Sequence, residues 1–212
     1  MRVCNQLVLA SLNPHKFLEF RSLLSHYPEL ELLSIEGLIR NADKLDSVET
    51  HDSYLENSIA KARLANRGCH YPSLGDDSGL EVAALSGRPG IRSRRYATPK
   101  AGQSQDQANI EKLLSELQGK PAAERQARFV STVTLVIEGV SLSATGTLEG
   151  TIAEGPRGTH GFGYDPIFIP KGSPLTLAEM SAAEKNAISH RARALGELLV
   201  IAKAKGIQFA KP

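Results

Sequence analysis

Within the stretch QLVLASLNPHKFLEFRSLLSHY the chain changes from a continuous apolar run to a helical pattern, with Asn13 placed as an N-cap and Pro14 at the first helical position. The apolar run reads as a short buried strand, and a strand that hands over at once to a helix opens an α/β unit. This junction does more than any composition figure to set the fold class.

The rest of the chain continues the alternation. LELLSIEGL is a second strand candidate, and SYLENSIAKARLANRG is a helix with Ser53 and Glu56 placed as a capping box and Gly68 as its C-terminal stop. SLGDDSGLEVAAL reads as strand, acidic turn and short continuation. SQDQANIEKLLSELQG is a helix capped by Ser104, with Ile110, Leu113, Leu114 and Leu117 at helical spacing. ARFVSTVTLVIEGVSLSATGTLEGTIA is rich in Val, Thr and Ile around EGVS and predicts an antiparallel hairpin, so the sheet is mixed. GPRGTHGFGYDPIFIP is too broken for regular structure, and a last helical region runs to about Lys205 before GIQFAKP. No repeat, low-complexity tract or obvious linker interrupts the 212 residues, which suit one domain or two lobes sharing a core.

With 41% hydrophobic and 23% charged residues and a formal net charge of +2, the chain has neither the apolar poverty of a disordered protein nor the charge excess of a dedicated nucleic-acid binder. It reads as a soluble globular protein. Cys4 and Cys69 stand in no C-x-x-C or zinc-like spacing, so they are expected to be free thiols in a reducing compartment. The apolar run in MRVCNQLVLAS is interrupted by Asn5 and Gln6 and is too short for a secretory or membrane segment; the expected location is the cytoplasm.

Several segments carry chemistry. Asp76 and Asp77 in GDDSGL suit a hard divalent cation or a general base, although Asp, Ser and Gly are equally the residues of a plain surface turn. SLNPHK brings a helix N-terminus where backbone N–H groups favour phosphate, or where Asn13 simply caps. Neither a Walker loop nor a G-x-G-x-x-G turn is present. Lys16, the helix bearing Glu56 and Lys61, the acidic pair, the aromatic-glycine loop and the cations Lys185, His190 and Arg191 find a common explanation in a triphosphate and its metal. On one continuous helix Lys185 and His190 would lie roughly 140° apart around the axis. A break resolves this: Ser181 and Glu184 cap a short helix that Asn186 can end, and Ser189 can cap a second helix bearing His190 and Arg191 at its start. The alternative is one unbroken helix whose cations are merely exposed.

The segments ASLNPHKFLEF, ETHDSYLENSIAKA, DDSGLEV, GFGYDPIF and EMSAAEKNAISHRARAL, in that order, resemble the motifs of the inosine triphosphate pyrophosphatase family, the XTP/dITP diphosphatases. The match runs from Ser11 to Leu195. The resemblance implies a single domain over residues 1–212: an elongated two-lobed α/β fold with a mixed β-sheet flanked by helices and a central substrate cleft. It also implies a homodimer and Mg²⁺-dependent hydrolysis of ITP, dITP or XTP to monophosphate and pyrophosphate. Carried over by motif, Asp77 is the proton acceptor and a metal ligand, Glu49 the second acidic metal ligand, and Asp76 assists. Ser78 contacts substrate, and Ser11, Asn13, Lys16 and Lys61 hold phosphate. Phe162, Gly163, Tyr164 and Asp165 line the base and sugar site, which Lys185, His190 and Arg191 complete. Hypoxanthine and xanthine carry a 6-keto acceptor where adenine has an amino donor, so Arg191 and His190 are expected to read the base while Lys185 grips phosphate.

Two departures stand out. The family's glycine after E-T is His51 here, and Arg92 and Arg94 replace an aromatic and a small residue. The neighbouring enzyme reading is a Maf-like pyrophosphatase acting on other damaged or modified nucleotides. A different class of reading is an RNA- or nucleotide-binding module built on GRPGIRSRRYATPK, although no nucleic-acid or membrane partner is expected.

Overall fold

The computed structural model describes residues 2–40 and 42–209. The chain opens with β1 (Arg2–Cys4), β2 (Gln6–Leu9) and α1 (Pro14–Leu23). Leu7, Val8 and Leu9 are buried, and the Asn13 side-chain oxygen accepts hydrogen bonds from the N–H groups of His15 and Lys16, so the cap is the one the sequence announces. Then come β3 (Glu31–Ser34), α2 (Tyr54–Cys69), β4 (Ser73–Val82), β5 (Pro89–Gly90) and α3 (Gln105–Glu116). The chain continues through β6 (Gln126–Ile137), β7 (Val140–Ile152), β8 (Phe168–Pro170), α4 (Ala182–Ile188), α5 (His190–Ala204) and β9 (Ile207–Phe209).

The main sheet has the order β3-β2-β4-β6-β7-β8, with β5 added on β4. β2 runs parallel to β3 and β4, while β4–β5 and β7–β8 are antiparallel, so the sheet is mixed and the fold is α/β as expected. Glu138 (φ 46°) and Gly139 (φ 78°) make the two-residue turn between β6 and β7, the left-handed pair that matches the twist of a hairpin.

Some local expectations change. The acidic pair does not sit in a turn: β4 runs unbroken through GDDSG, and Asp76 and Asp77 are buried. Turn-forming composition loses here to a strand paired on both sides and packed on α2. Gly68 does not stop α2, which ends one residue later with His70 as a left-handed cap (φ 63°) whose N–H donates to the Asn66 carbonyl. Ser53 does accept from the Glu56 N–H, but its hydroxyl then donates to the Glu56 carboxylate. GPRGTHGFGYDPIFIP supplies a 3₁₀ turn (Asp165–Ile167) and β8, so it is less irregular than its glycines predict. β1 and β9, three residues each, pair in parallel as a separate small sheet that no sequence pattern announces.

The chain divides into two compact units. The first comprises Met1–Asp77, Ser131–Gly146 and Arg191–Pro212, and its core includes Leu7, Leu9, Phe20, Leu74, Leu135 and Leu198. The second comprises Ser78–Val130 and Thr147–His190, with Leu80, Leu113, Leu117, Phe129, Phe168 and Leu177 at its centre. Buried Arg125 ties the second core by donating to the carbonyls of Leu117, Ile152 and Ala153.

Candidate active site

In the first unit the acids and the cations of four distant segments meet. Gly75 makes this possible: a Cβ there would lie 2.1 Å from the Ser58 carbonyl oxygen and 2.8 Å from the Ala62 nitrogen, so only glycine lets β4 approach α2 so closely. That glycine brings the strand to its helix. Successive side chains of a strand point to opposite faces, so Asp76 and Asp77 enter different surroundings despite being neighbours.

Asp76 is fully enclosed. Its carboxylate accepts from Ser131 Oγ at 2.6 Å, pairs with Lys16 Nζ at 2.7 Å and takes the Arg191 Nε at 3.4 Å. Burial alone would push its pKa up, but Lys16 and Arg191 hold it far below the ordinary carboxylate range. Arg191 is in turn fixed by Glu19, 2.8 Å from Nη1. Lys16 is driven below its usual lysine value, first by burial, with Asp76 opposing and Lys61 and Arg191 adding like charge.

Asp77 faces α2. Lys61 Nζ lies 3.3 Å from its Oδ1 and also donates to the Asp76 carbonyl oxygen at 2.8 Å. The same ammonium pairs with Glu49, so Glu49 and Asp77 converge on one positive charge. Asn57 Nδ2 donates to Asp77 Oδ2 at 3.0 Å. Desolvation outweighs these partners, and the Asp77 pKa is raised above the usual carboxylate value. Lys61 goes the other way from an ordinary buried lysine: burial lowers it, but Asp77 and Glu49 prevail and raise it. Of two adjacent aspartates, one therefore has its pKa driven down and the other has its pKa driven up.

Asn57 also staples the loop that carries Glu49. Its Oδ1 accepts from the His51 N–H and its Nδ2 donates to the His51 carbonyl. The non-glycine residues with positive φ among the described ones are His70, Ser86 and Glu138, so His51 occupies the family's glycine position without strain. Ser11 and Asn13 shape the turn into α1: Ser11 Oγ accepts from the Asn13 N–H, and the Asn13 oxygen caps the helix. The cation this turn delivers is Lys16.

The second unit holds the aromatic-glycine loop. Asp165 Oδ2 accepts from the Phe162 N–H at 2.8 Å and from Lys185 Nζ at 2.5 Å, and that ammonium lies 4.9 Å from the centre of the Phe162 ring. Gly161 (φ 75°) gives Asp165 its room, because a Cβ there would lie 2.0 Å from Oδ2. Gly163 donates its N–H to Asp106 at the start of α3, and the Tyr164 hydroxyl donates to the Ser93 carbonyl. The His190 ring stacks on Phe129 at 4.8 Å between centroids and 9° between planes. Ser78, half-buried, follows Asp77 on β4.

The structure thus groups the C-terminal cations differently from the sequence reading. Lys185, expected at phosphate, belongs with the Phe162 loop, whereas Arg191, expected at the base, joins Lys16 and Asp76. The helical break is present: a capping box of Ser181 and Glu184 opens α4, and Ser189 has extended backbone (φ −65°, ψ 153°) before α5 begins at His190. α4 continues past Asn186 to Ile188. Arg92 and Arg94 are exposed beside or on the 3₁₀ turn Ser93–Arg95. The sequence reading gave no role to Glu19, Asn57, Phe129 or Ser131. Glu19 and Asn57 stand inside two of the motifs and could have been found there; Phe129 and Ser131 look like ordinary strand residues.

The residues suit the Mg²⁺ that the resemblance implies. Glu49 and Asp77 offer oxygen ligands already gathered around one cation, the Lys61 ammonium, and Mg²⁺ is commonly held by one or two carboxylates with water and phosphate filling the rest. Among the described residues there is no group of three or more His, Cys, Asp or Glu placed to hold a metal ion.

The chain is similar to known proteins over nearly its whole length. The chain is 43% identical over 194 residues to a protein of Christiangramia forsetii named dITP/XTP pyrophosphatase, covering 92% of this chain and 97% of that one. It is 41% identical over 205 residues to a Bacillus subtilis protein of the same name, covering 96% and 100%. A solved HAM1 protein from Coxiella burnetii superposes with a TM-score of 0.77 at 37% identity, covering 94% of this chain and 98% of that one. The Ham1 protein of Staphylococcus aureus gives 0.76 at 35% identity, covering 94% and 99%. With the Ham1 family model matching residues 7–201 as well, the chain belongs to the Ham1 family.

Proposed function

We propose that this protein hydrolyses dITP, XTP and ITP to the nucleoside monophosphate and pyrophosphate. The observation that carries the reading is the setting of the two adjacent aspartates: Asp76 is enclosed by Ser131, Lys16 and Arg191, while Asp77 shares the Lys61 ammonium with Glu49 and is suited to accept a proton from water. The dITP/XTP pyrophosphatase name borne by relatives over nearly the whole chain supports the substrate class.

A triphosphate brings about four negative charges at neutral pH, which must be balanced before water can approach the α-phosphorus. Lys16, Lys61 and Arg191 supply that balance, and Asp77 takes the water's proton. Glu49 and Asp77 would hold Mg²⁺, which when bound polarises phosphate oxygens and stabilises the departing pyrophosphate. Asn57 keeps Asp77 and the Glu49 loop in register. In the second unit Phe162 offers a stacking face for a purine, and Lys185, fixed by Asp165, offers donors for a 6-keto oxygen that adenine lacks. Arg191 then contributes charge and positioning. Ser11, Asn13, Ser78, Tyr164 and His190 complete the proposed set of substrate-facing residues.

The family resemblance supports a homodimer working in the cytoplasm. No helix among the described residues is long and apolar enough to cross a membrane.

Pyrophosphate release with Mg²⁺ from dITP, XTP and ITP, compared with ATP, GTP and dUTP, tests the proposal. ITP, dITP and XTP should far exceed in kcat/KM both ATP, which lacks the 6-keto oxygen, and GTP, which has that oxygen and is set apart by its 2-amino group. Comparable values for ITP and ATP would overturn the assigned specificity, and no release from any nucleotide would overturn the activity.

A further inference from the structure

α3 does more than pack. Its first residues reach the aromatic-glycine loop through two separate connections. Asp106, in the first turn, accepts the Gly163 N–H at 2.7 Å. Asn109, one turn on and buried, donates to the carbonyls of Ser93 and Arg94 and accepts from the Ala97 N–H, so it fixes the Ser93 carbonyl to which the Tyr164 hydroxyl donates. Ser93 is itself anchored, with its hydroxyl accepting from the Leu80 N–H and donating to the Gly90 carbonyl.

The loop needs these connections. Gly161 and Gly163 both have positive φ, and glycine on each side of Phe162 gives the chain more freedom to lose than any other residue. Asp165 fixes the Phe162 N–H from within the loop, and Asp106 fixes the next N–H from outside it. The peptide units on either side set the direction of the Phe162 Cα–Cβ bond, from which χ1 and χ2 place the ring. A bond from a stable helix to Gly163 therefore pre-orders the ring.

We propose that Asp106 is a positioning residue for base recognition, holding Gly163 so that Phe162 presents a fixed face to the purine. This rests on the function proposed above, in which Phe162 stacks on the base. Asp106 touches no reacting atom, and a side chain at the start of a helix also favours the helix through its negative charge, so the test must separate the two roles.

Three proteins decide it: wild type, Asp106→Ala and Asp106→Asn, each assayed for dITP hydrolysis and for inhibition by tripolyphosphate, which has phosphates but no base. Loss of the hydrogen bond in Asp106→Ala should raise KM for dITP about tenfold with kcat little changed, since a hydrogen bond to a charged acceptor contributes on that scale. The tripolyphosphate inhibition constant should stay at the wild-type value. Asp106→Asn keeps an acceptor oxygen and should recover most of the affinity, although it lacks the charge.

An unchanged dITP KM in Asp106→Ala overturns the inference. So does a parallel rise for dITP and tripolyphosphate, which would mean general loosening, and so does an Asn variant as poor as Ala, which would mean that charge and not the bond matters. A wild type that releases no pyrophosphate from dITP overturns the parent reading and this inference together; a wild type that turns over alongside an indistinguishable Asp106→Ala overturns this one alone.

Discussion

Asp76 and Asp77 differ in nothing but the face of β4 from which they project, and this decides their opposite contributions to stability. The folded state holds Asp76 below its unfolded pKa, so its stabilisation is complete at neutral pH and is lost as the pH falls below the ordinary carboxylate range of about 4. Asp76→Asn removes the carboxylate that Lys16 and Arg191 share, leaving Arg191 with Glu19 alone, and it should cost about 3–5 kcal/mol at pH 7. The gap in melting temperature from wild type, measured without metal, should close as the pH is lowered. Asp77 is held above its unfolded pKa, so its favourable contribution lies below the unfolded value and is lost as the pH rises through the folded one. Asp77→Asn should therefore be at least as stable as wild type at pH 7, yet almost devoid of turnover, because an amide neither accepts the proton nor gives a metal an anionic oxygen. A strongly destabilised Asp77→Asn, or a harmless Asp76→Asn, would show that the roles are exchanged.

Gly75 is the point at which β4 and α2 constrain each other. In Gly75→Ala the new Cβ would meet the Ser58 carbonyl and the Ala62 nitrogen, backbone atoms that cannot rotate aside, so the strand must back away and carry Asp77 from Lys61. A stability loss of about 1–3 kcal/mol and a fall in kcat of roughly a hundredfold are expected, measured by denaturant unfolding and by dITP turnover. Near-normal kcat would mean that the spacing is not critical. The elements themselves were largely legible in the sequence, because caps and periodicity act locally: Asn13-Pro14, Ser104, and Ser181 with Glu184 each open the helix they announce. β4 was misread as containing a turn because Asp, Ser and Gly favour turns on their own, whereas pairing with β2 and β5 and packing on α2 come from elsewhere in the chain. β1 and β9 are too short to carry a period, and their partners lie at opposite ends of the sequence.

At the scale of the whole molecule, motif content revealed which residues carry chemistry but not how they are grouped. Arg191 meets Glu19 across 172 residues and Asp76 across 115, and no spacing rule encodes such pairs. Adjacency in sequence even misleads: His190 and Arg191 are consecutive, yet His190 stacks on Phe129 in the second unit while Arg191 belongs to the acid cluster of the first. The charge balance and the proton acceptor gathered in the first unit carry the central claim of the proposed function: water, deprotonated by Asp77, attacks the α-phosphorus. Turnover of dITP in water enriched in oxygen-18, followed by mass analysis of both products, tests this directly. The account predicts one labelled oxygen in the nucleoside monophosphate and none in pyrophosphate; label in pyrophosphate, or release of labelled orthophosphate, would contradict it.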